Sequence, residues 1–235
     1  ALGLALLSIF VGMGFGIYAT QQMYLSDIQQ DNAQEYLEKI YLGEDIDALE
    51  QPENILNPLN IFQSDIPVFD MLQDFTVIDQ VQRIEEYKPS VFGLLEIPEI
   101  NVNQYVVSGT DDLSLQFGPG YYLGTNLPGS GGNVGIAGHR TTYGAPFSQL
   151  DLVEIGDEIL LTVGSNKYHY KVDEVEIVDA VSGSYVLYNR GDDRITLTTC
   201  HPKYSARQRL VVSGILHRIE TVSYTHLRAH ETGND

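Results

Sequence analysis

The sequence predicts a mainly-β fold, a closed or nearly closed barrel of short strands with few helices, and three observations carry that prediction. From Val91 onward, short β-type runs follow one another: FGLLEIPEI, NQYVVSG, GNVGIAGHR, DEILLTV, NKYHYKVDEVEIV, DRITLTTC and RLVVSGILHRIE. Gly, Pro, Asn and Asp separate these runs, and the chain holds 22 Gly and 9 Pro. Several runs alternate in period two. Tyr168, Tyr170 and Val172 fall on one face, and Glu174, Glu176 and Val178 are expected to continue it. Many short strands with little helix suit a barrel that closes on itself. Two short helical pieces are expected between strands, near 111–116 and 146–150.

Before the barrel the chain reads differently. Residues 1–19, ALGLALLSIFVGMGFGIYA, carry no charge, and their length is near the lower limit for a membrane-spanning helix. No small-x-small cleavage site follows, so an uncleaved N-terminal transmembrane signal anchor with a truncated start is expected. The first basic residue downstream is Lys39, which fits an exported C-terminal side. In 24–42, Leu25, Ile28, Tyr36, Leu37, Ile40 and Tyr41 recur at helical spacing and predict a short amphipathic helix. Residues 43–88 are acidic and irregular, broken by Pro52, Pro58 and Pro67. The stretch 20–88 is expected to be a stalk or linker, with a lid folded over the site as the alternative. The barrel itself is expected over 89–221. Residues 222–232, VSYTHLRAHET, are what one frame of a transposase adapter used in sequencing libraries encodes. The tail 222–235 is therefore read as not native, and His226 and His230 are set aside.

Composition narrows the function. Of 235 residues, 43% are apolar, enough for one domain with a real core, and the formal net charge is −19. A surface so acidic repels a phosphate backbone, so no nucleic-acid partner is expected. The GSGG at 129–132 follows Pro128 in a turn rather than a strand, which argues against a nucleotide loop. The single cysteine, Cys200, excludes a disulfide framework and leaves buried filler or a nucleophile. The acidic residues are scattered and form no loop of oxygen ligands, so no cofactor and no metal are expected, with calcium dependence left open.

Three fragments carry chemistry. His139 ends the apolar run GNVGIAGHR, Cys200 ends ITLTTC, and Arg209 opens RLVV. A group at a strand end sits at a barrel rim, exposed yet rigidly placed. A thiol needs help to become the attacking thiolate. An imidazole can share that proton and later deliver one to a leaving amine. A guanidinium, with permanent charge and a rigid fork of donors, suits a developing oxyanion. Arg207, two residues earlier, would point the same way on a strand and is a rival. His201 is read as a loop residue rather than a second base.

TLTTC followed by HPKYSARQRLVV resembles the signature of the sortase family, in which a TLxTC strand and a later Arg-apolar-apolar strand bracket a loop. GNVGIAGHR is similar to that family's histidine strand, GPGYYLGTNLPGSGGN to the stretch before it and FGLLEIPEI to its first strand. The resemblance runs from about Phe92 to about Glu220. It implies an eight-stranded barrel and a membrane-anchored cysteine transpeptidase of the Gram-positive cell surface. Cys200 would attack the Thr–Gly bond of an LPxTG- or LAxTG-like sorting signal on a surface protein. His139 would serve the leaving and incoming amines, and Arg209 would hold the oxyanion. The acceptor would be an amine of a cell-wall precursor of lipid II type.

HRTTYGAPF and TCHPKYSARQRL look most like the class E, housekeeping-type group, which tends to prefer LAxTG. Thr199, Tyr122 and Tyr143 are the substrate-binding candidates, Thr199 near the oxyanion site and the tyrosines at a pocket. Tyr121 is a further pocket candidate, with barrel packing as its other reading. The alternatives are a pilus-polymerising sortase, an L,D-transpeptidase and a non-catalytic peptide-binding barrel. The first is disfavoured because 43–88 holds no Asp-Pro-aromatic motif. The second is disfavoured because Thr-Thr, not a Ser-His-Gly block, precedes Cys200.

Overall fold

The computed structural model of the protein describes residues 31, 33–43 and 89–222. The expected membrane span at 1–19, most of 20–88 and the tail from 223 lie outside the described residues. Within them, no helix is long and apolar enough to cross a membrane.

Residues 33–42 form a helix, α1. The barrel strands are β1 (Val91–Ile97), β2 (Val102–Ser108), β3 (Gly120–Tyr121), β4 (Asn133–Ala137), β5 (Glu158–Val163), β6 (Asn166–Asp179), β7 (Arg194–His201) and β8 (Gln208–Thr221). They close in the order β1-β2-β3-β4-β7-β8-β6-β5. Most neighbours are antiparallel, but β2–β3 and β4–β7 run parallel. A helix α2 (Ser114–Phe117) lies between β2 and β3, and 3-10 turns occur at Pro98–Ile100, Leu150–Leu152 and Ser182–Leu187.

Alternation decides what the interior holds. On β7, Ile195 and Leu197 are fully buried in the core, with Val134 and Ile136 of β4, Leu210 and Val212 of β8, Leu95 and Ile97 of β1, Leu161 of β5 and Tyr170 of β6. The opposite parity on β7, namely Thr196, Thr198 and Cys200, therefore faces outward.

The period-two reading of β6 holds only in its first half. Tyr170 and Val172 belong to the core, whereas Val178 packs outside with Val186 and Val211. The register slips between Val172, opposite Gly214, and Glu174, opposite Ser213. A bulge at Asp173 turns Glu174, Glu176 and Val178 to the outer face. The expected single face does not exist, because one extra residue reverses the phase of all that follow. Strand β3, too short to show a pattern, is the strand the sequence runs leave out. Of the two expected helical pieces, Ser114–Phe117 is helical, and 146–149 is a turn leading into the 3-10 turn at Leu150–Leu152.

The shortness of β3 has a local consequence. It pairs with β2 only at Val107 and Ser108, so the backbone N–H of Tyr105 lies beyond the ladder. Gln34 of α1 supplies what is missing. Its Oε1 accepts from Tyr105 N at 2.6 Å, and its Nε2 donates to Phe117 O at 2.9 Å. Ala33 and Leu37 seal this edge against Val107 and Phe117. The helix thus covers a sheet edge.

Because β6 and β7 both run antiparallel to β8 and so point the same way, the chain must return from the end of β6 to the start of β7. Residues 180–193 make that return across the outward face of β4 and β7. Asn133 Nδ2 donates to Val186 O at 2.8 Å, and Thr196 Oγ1 donates to Asn133 Oδ1 at 2.9 Å beneath it. Asp179 starts the turn, accepting from the backbone N–H groups of Val181 and Ser182, which hold its carboxyl below the usual carboxylate range. Arg190 pairs with Glu174 at 2.6 Å, and Arg194 pairs with Asp192 at 2.8 Å and Asp173 at 3.3 Å, fixing the far end.

Candidate active site

The site sits where three strands reach one rim. In the parallel β4–β7 ladder, Ala137 lies opposite Thr198, and Gly138 N donates to Thr198 O at 3.0 Å. The same offset carried onward leads His139 toward Cys200. In the antiparallel β7–β8 ladder, Cys200 lies directly opposite Arg209. Cys200 and Arg209 are thus neighbours on adjacent strands, about 4.8 Å apart in backbone spacing, and His139, two residues past the end of β4, lies on the segment that leads toward Cys200. Directly opposite residues share a face. The outward parity of Thr198 and Cys200 matches that of Arg209, since Leu210 and Val212 face in.

Each member is held by its own means. Cys200 is half-buried and unpaired with another cysteine. His139 is half-buried, its carbonyl accepts from Phe147 N at 3.0 Å, and its ring lies 5.1 Å from that of Tyr143. Its Nε2 is shielded from solvent with no hydrogen-bond partner among the described residues. Burial pushes the His139 imidazole below its ordinary value, and the Asp112 carboxylate offsets part of that fall. Arg209 NH1 donates to Ala206 O at 3.0 Å and Gln208 O at 3.1 Å, which occupies two of its five N–H donors and anchors the guanidinium on the β7–β8 loop. Arg207, the rival, is exposed on that loop, and its carbonyl accepts from Ala180 N.

The three substrate-binding candidates separate. Tyr122 lies outside β7, its hydroxyl 2.9 Å from Thr198 Oγ1. Its ring also borders Gly135, where a Cβ would come within 3.0 Å of it and 2.8 Å of Leu187. Tyr143 is 39% exposed, has a positive φ of 51° and stands beside His139. Thr199 faces inward, 2% exposed, and its hydroxyl donates to Gly138 O at 2.7 Å. It joins the strand that carries Cys200 to the segment that carries His139. Tyr121 packs in the core, stacked on Phe92 at 4.1 Å.

Sequence reasoning missed Asp112, Asp151 and Arg140. Arg140 is buried, 4% exposed, directly after His139. Its NH1 donates to Cys200 O at 3.3 Å and lies 3.1 Å from His201 Nδ1, and its NH2 pairs with Asp151 at 2.9 Å. An arginine immediately after an apolar strand was the available signal. Gly138 is required beside it, because a Cβ there would meet Phe147 at 2.5 Å. Among the described residues, no group of His, Cys, Asp and Glu is arranged to hold a metal ion.

The family model of the Sortase domain matches residues 95–217. Sortase D of Bacillus subtilis is 32% identical over 127 residues, covering 53% of this chain and 63% of that protein. Sortase SrtE1 of Streptomyces coelicolor is 34% identical over 138 residues, covering 52% of this chain and 39% of that protein. The solved structure of Listeria monocytogenes sortase A is similar with a TM-score of 0.52 and 32% identity, over 57% of this chain and 92% of that one. The chain thus spans between 39% and 63% of the two curated relatives. Three differently lettered sortases match at near-equal identity, so the likeness singles out no class.

Proposed function

This chain belongs to the sortase family, and on that premise we propose that it is a cysteine transpeptidase in which Cys200, His139 and Arg209 carry the reaction. What supports this reading is the pairing of Cys200 with Arg209 across β7 and β8, together with the β4–β7 register that brings the segment after β4 toward Cys200. The Cys200 thiolate attacks the Thr carbonyl of a sorting signal. The oxyanion that develops faces the donors of Arg209 that the loop does not occupy. Protonated His139 gives its proton to the glycine amine as the Thr–Gly bond breaks, leaving a thioester and a neutral imidazole. That imidazole then takes a proton from the incoming amine. The amine displaces Cys200 as thiolate, and the resting pair is restored.

Burial of His139 favours its neutral form. Only the fraction of molecules in which it holds the thiol's proton is ready to react. Tyr122 and Tyr143 border the outward face of β7 and the imidazole, where a peptide backbone would lie. Thr199 acts from inside by holding the β4 and β7 ends together.

The finer reading is a class E-like, housekeeping-type enzyme that takes an LAxTG- or LPxTG-like signal on surface proteins. It transfers them to an amine of a lipid II-type cell-wall precursor. It is anchored through 1–19, single-pass, with the catalytic domain outside the cell. The motifs around His139 and Cys200 support it. Incubating the full chain with LAETG and LPETG peptides and an amine acceptor tests it by mass spectrometry. Cleavage between Thr and Gly with transfer to the amine is expected, and Cys200→Ala abolishes both. A folded chain that neither cleaves nor forms an acyl-enzyme with either peptide would overturn it.

A further inference from the structure

The machinery of the proposed reaction leaves a buried cation at the rim unused. Arg140 is almost wholly enclosed at the rim, and its guanidinium touches three things: the carbonyl of the nucleophile Cys200, the Nδ1 of His201 and the carboxylate of Asp151. Its Nε is buried and has no partner among the described residues. Burying an arginine in this way costs desolvation that only well-placed ion pairs and hydrogen bonds offset.

Its position gives the contacts a purpose. Arg140 follows the acid–base His139 directly, while Cys200 and His201 end β7. One side chain therefore fastens the segment bearing the imidazole to the backbone bearing the thiol. It does so one step beyond the last ladder bond between the strands, Gly138 N to Thr198 O.

A guanidinium has donors and no acceptor. The 3.1 Å contact with His201 therefore requires a lone pair on His201 Nδ1, and the proton of a neutral ring then sits on Nε2. A doubly protonated His201 has nothing to offer at that atom. Asp151 pairs with Arg140 beside this imidazole, and the β7–β8 hairpin that follows His201 carries the cations Lys203, Arg207 and Arg209.

Resting on the transpeptidase reading, we propose that Arg140 is a positioning residue. Anchored by Asp151 and accepted by neutral His201, it clamps the Cys200 backbone at the level of His139 and Arg209. His201, read from sequence as a loop residue, is thereby the acceptor arm of the clamp.

The test uses the full chain as wild type, Arg140→Met, His201→Asn and His201→Leu. Cys200 is the sole cysteine, so iodoacetamide alkylation reports it alone. Misplacing the thiol lowers kcat for peptide transfer about 10²-fold in His201→Leu and Arg140→Met while KM changes little. The same misplacement slows alkylation about tenfold in Arg140→Met and His201→Leu. The Asn amide oxygen stands where Nδ1 stood and accepts the same N–H. His201→Asn therefore recovers kcat and alkylation to within about threefold of wild type. Nitrogen-15 spectra of the wild type show His201 unprotonated at Nδ1.

Should Arg140→Met fail to fold, the His201 pair, at a half-exposed position, decides alone. The clamp is overturned by folded His201→Leu with wild-type kcat, by His201→Asn as impaired as His201→Leu, or by a proton on Nδ1. If the wild type transfers no peptide yet alkylation follows the stated order, the clamp stands and the transpeptidase reading falls. If it transfers peptide and the variants match it, the reverse holds.

Discussion

His139 sits where burial and task pull on the same proton. Its folded pKa lies below the ordinary histidine value, with burial the larger cause and Asp112 opposing it. Between the folded and unfolded values the unfolded chain binds the extra proton. The stability tied to neutral His139 is therefore full above about pH 6.5 and is lost as pH falls through that value toward the folded one. His139→Gln removes that contribution, so urea midpoints measured from pH 7 to pH 5 fall less in the variant than in wild type. Asp112→Asn removes the opposing charge, and the His139 midpoint followed by NMR titration moves lower still. A midpoint that rises would contradict the assignment of Asp112. His139, Cys200 and Arg209, the proposed catalytic residues, were legible in sequence because the runs they end or open resemble a family's signature; their positions alone left bland readings open. Arg140 and Asp112 were not, because their meaning lies in partners that only the closed barrel brings near.

Strand β7 does different work on its two faces. Leu197 fills the core, Cys200 faces the rim, and Thr199 holds the Gly138 carbonyl from within. Thr199→Val keeps the volume and β-propensity but leaves a buried carbonyl lacking its donor, a change worth about 1–3 kcal/mol. Chemical denaturation reads this directly, and a variant as stable as wild type would show that the bond contributes nothing. Short β-type runs bounded by Gly, Pro, Asn and Asp made β5, β7 and β8 visible from sequence. The bulge at Asp173 was invisible, since no residue type marks it and its effect is only to reverse a phase. Two-residue β3 carries no period to detect. Its place is set by what β2 and β4 leave between them.

The barrel and its helix are held by unequal seams. Leu197 lies in a cluster fed by strands all round the barrel, whereas Leu37 meets a small seam of Ala33, Val107 and Phe117. Leu197→Ala is expected to cost about 2–5 kcal/mol and to lower global stability. Leu37→Asp instead frees α1 while the barrel stays folded. Hydrogen exchange separates the two, with fast exchange confined to 33–42 in the second case. The strand-rich pattern told the general architecture early, but the docking of α1 depends on an unfilled sheet edge that no periodicity announces.

A barrel of simple hairpins alternates strand tops and bottoms around its rim. The parallel β4–β7 pair breaks that alternation and puts two strand tops side by side, and β6 and β7, both antiparallel to β8, oblige the chain to travel back across the outer wall before β7 begins. That return path, 180–193, contributes none of His139, Cys200 and Arg209, yet it covers the wall beside them. Substitutions, insertions or grafts in it can remodel what rests on that wall while the barrel and these three residues stay as they are, so new preferences can evolve, or be engineered, without rebuilding the catalyst.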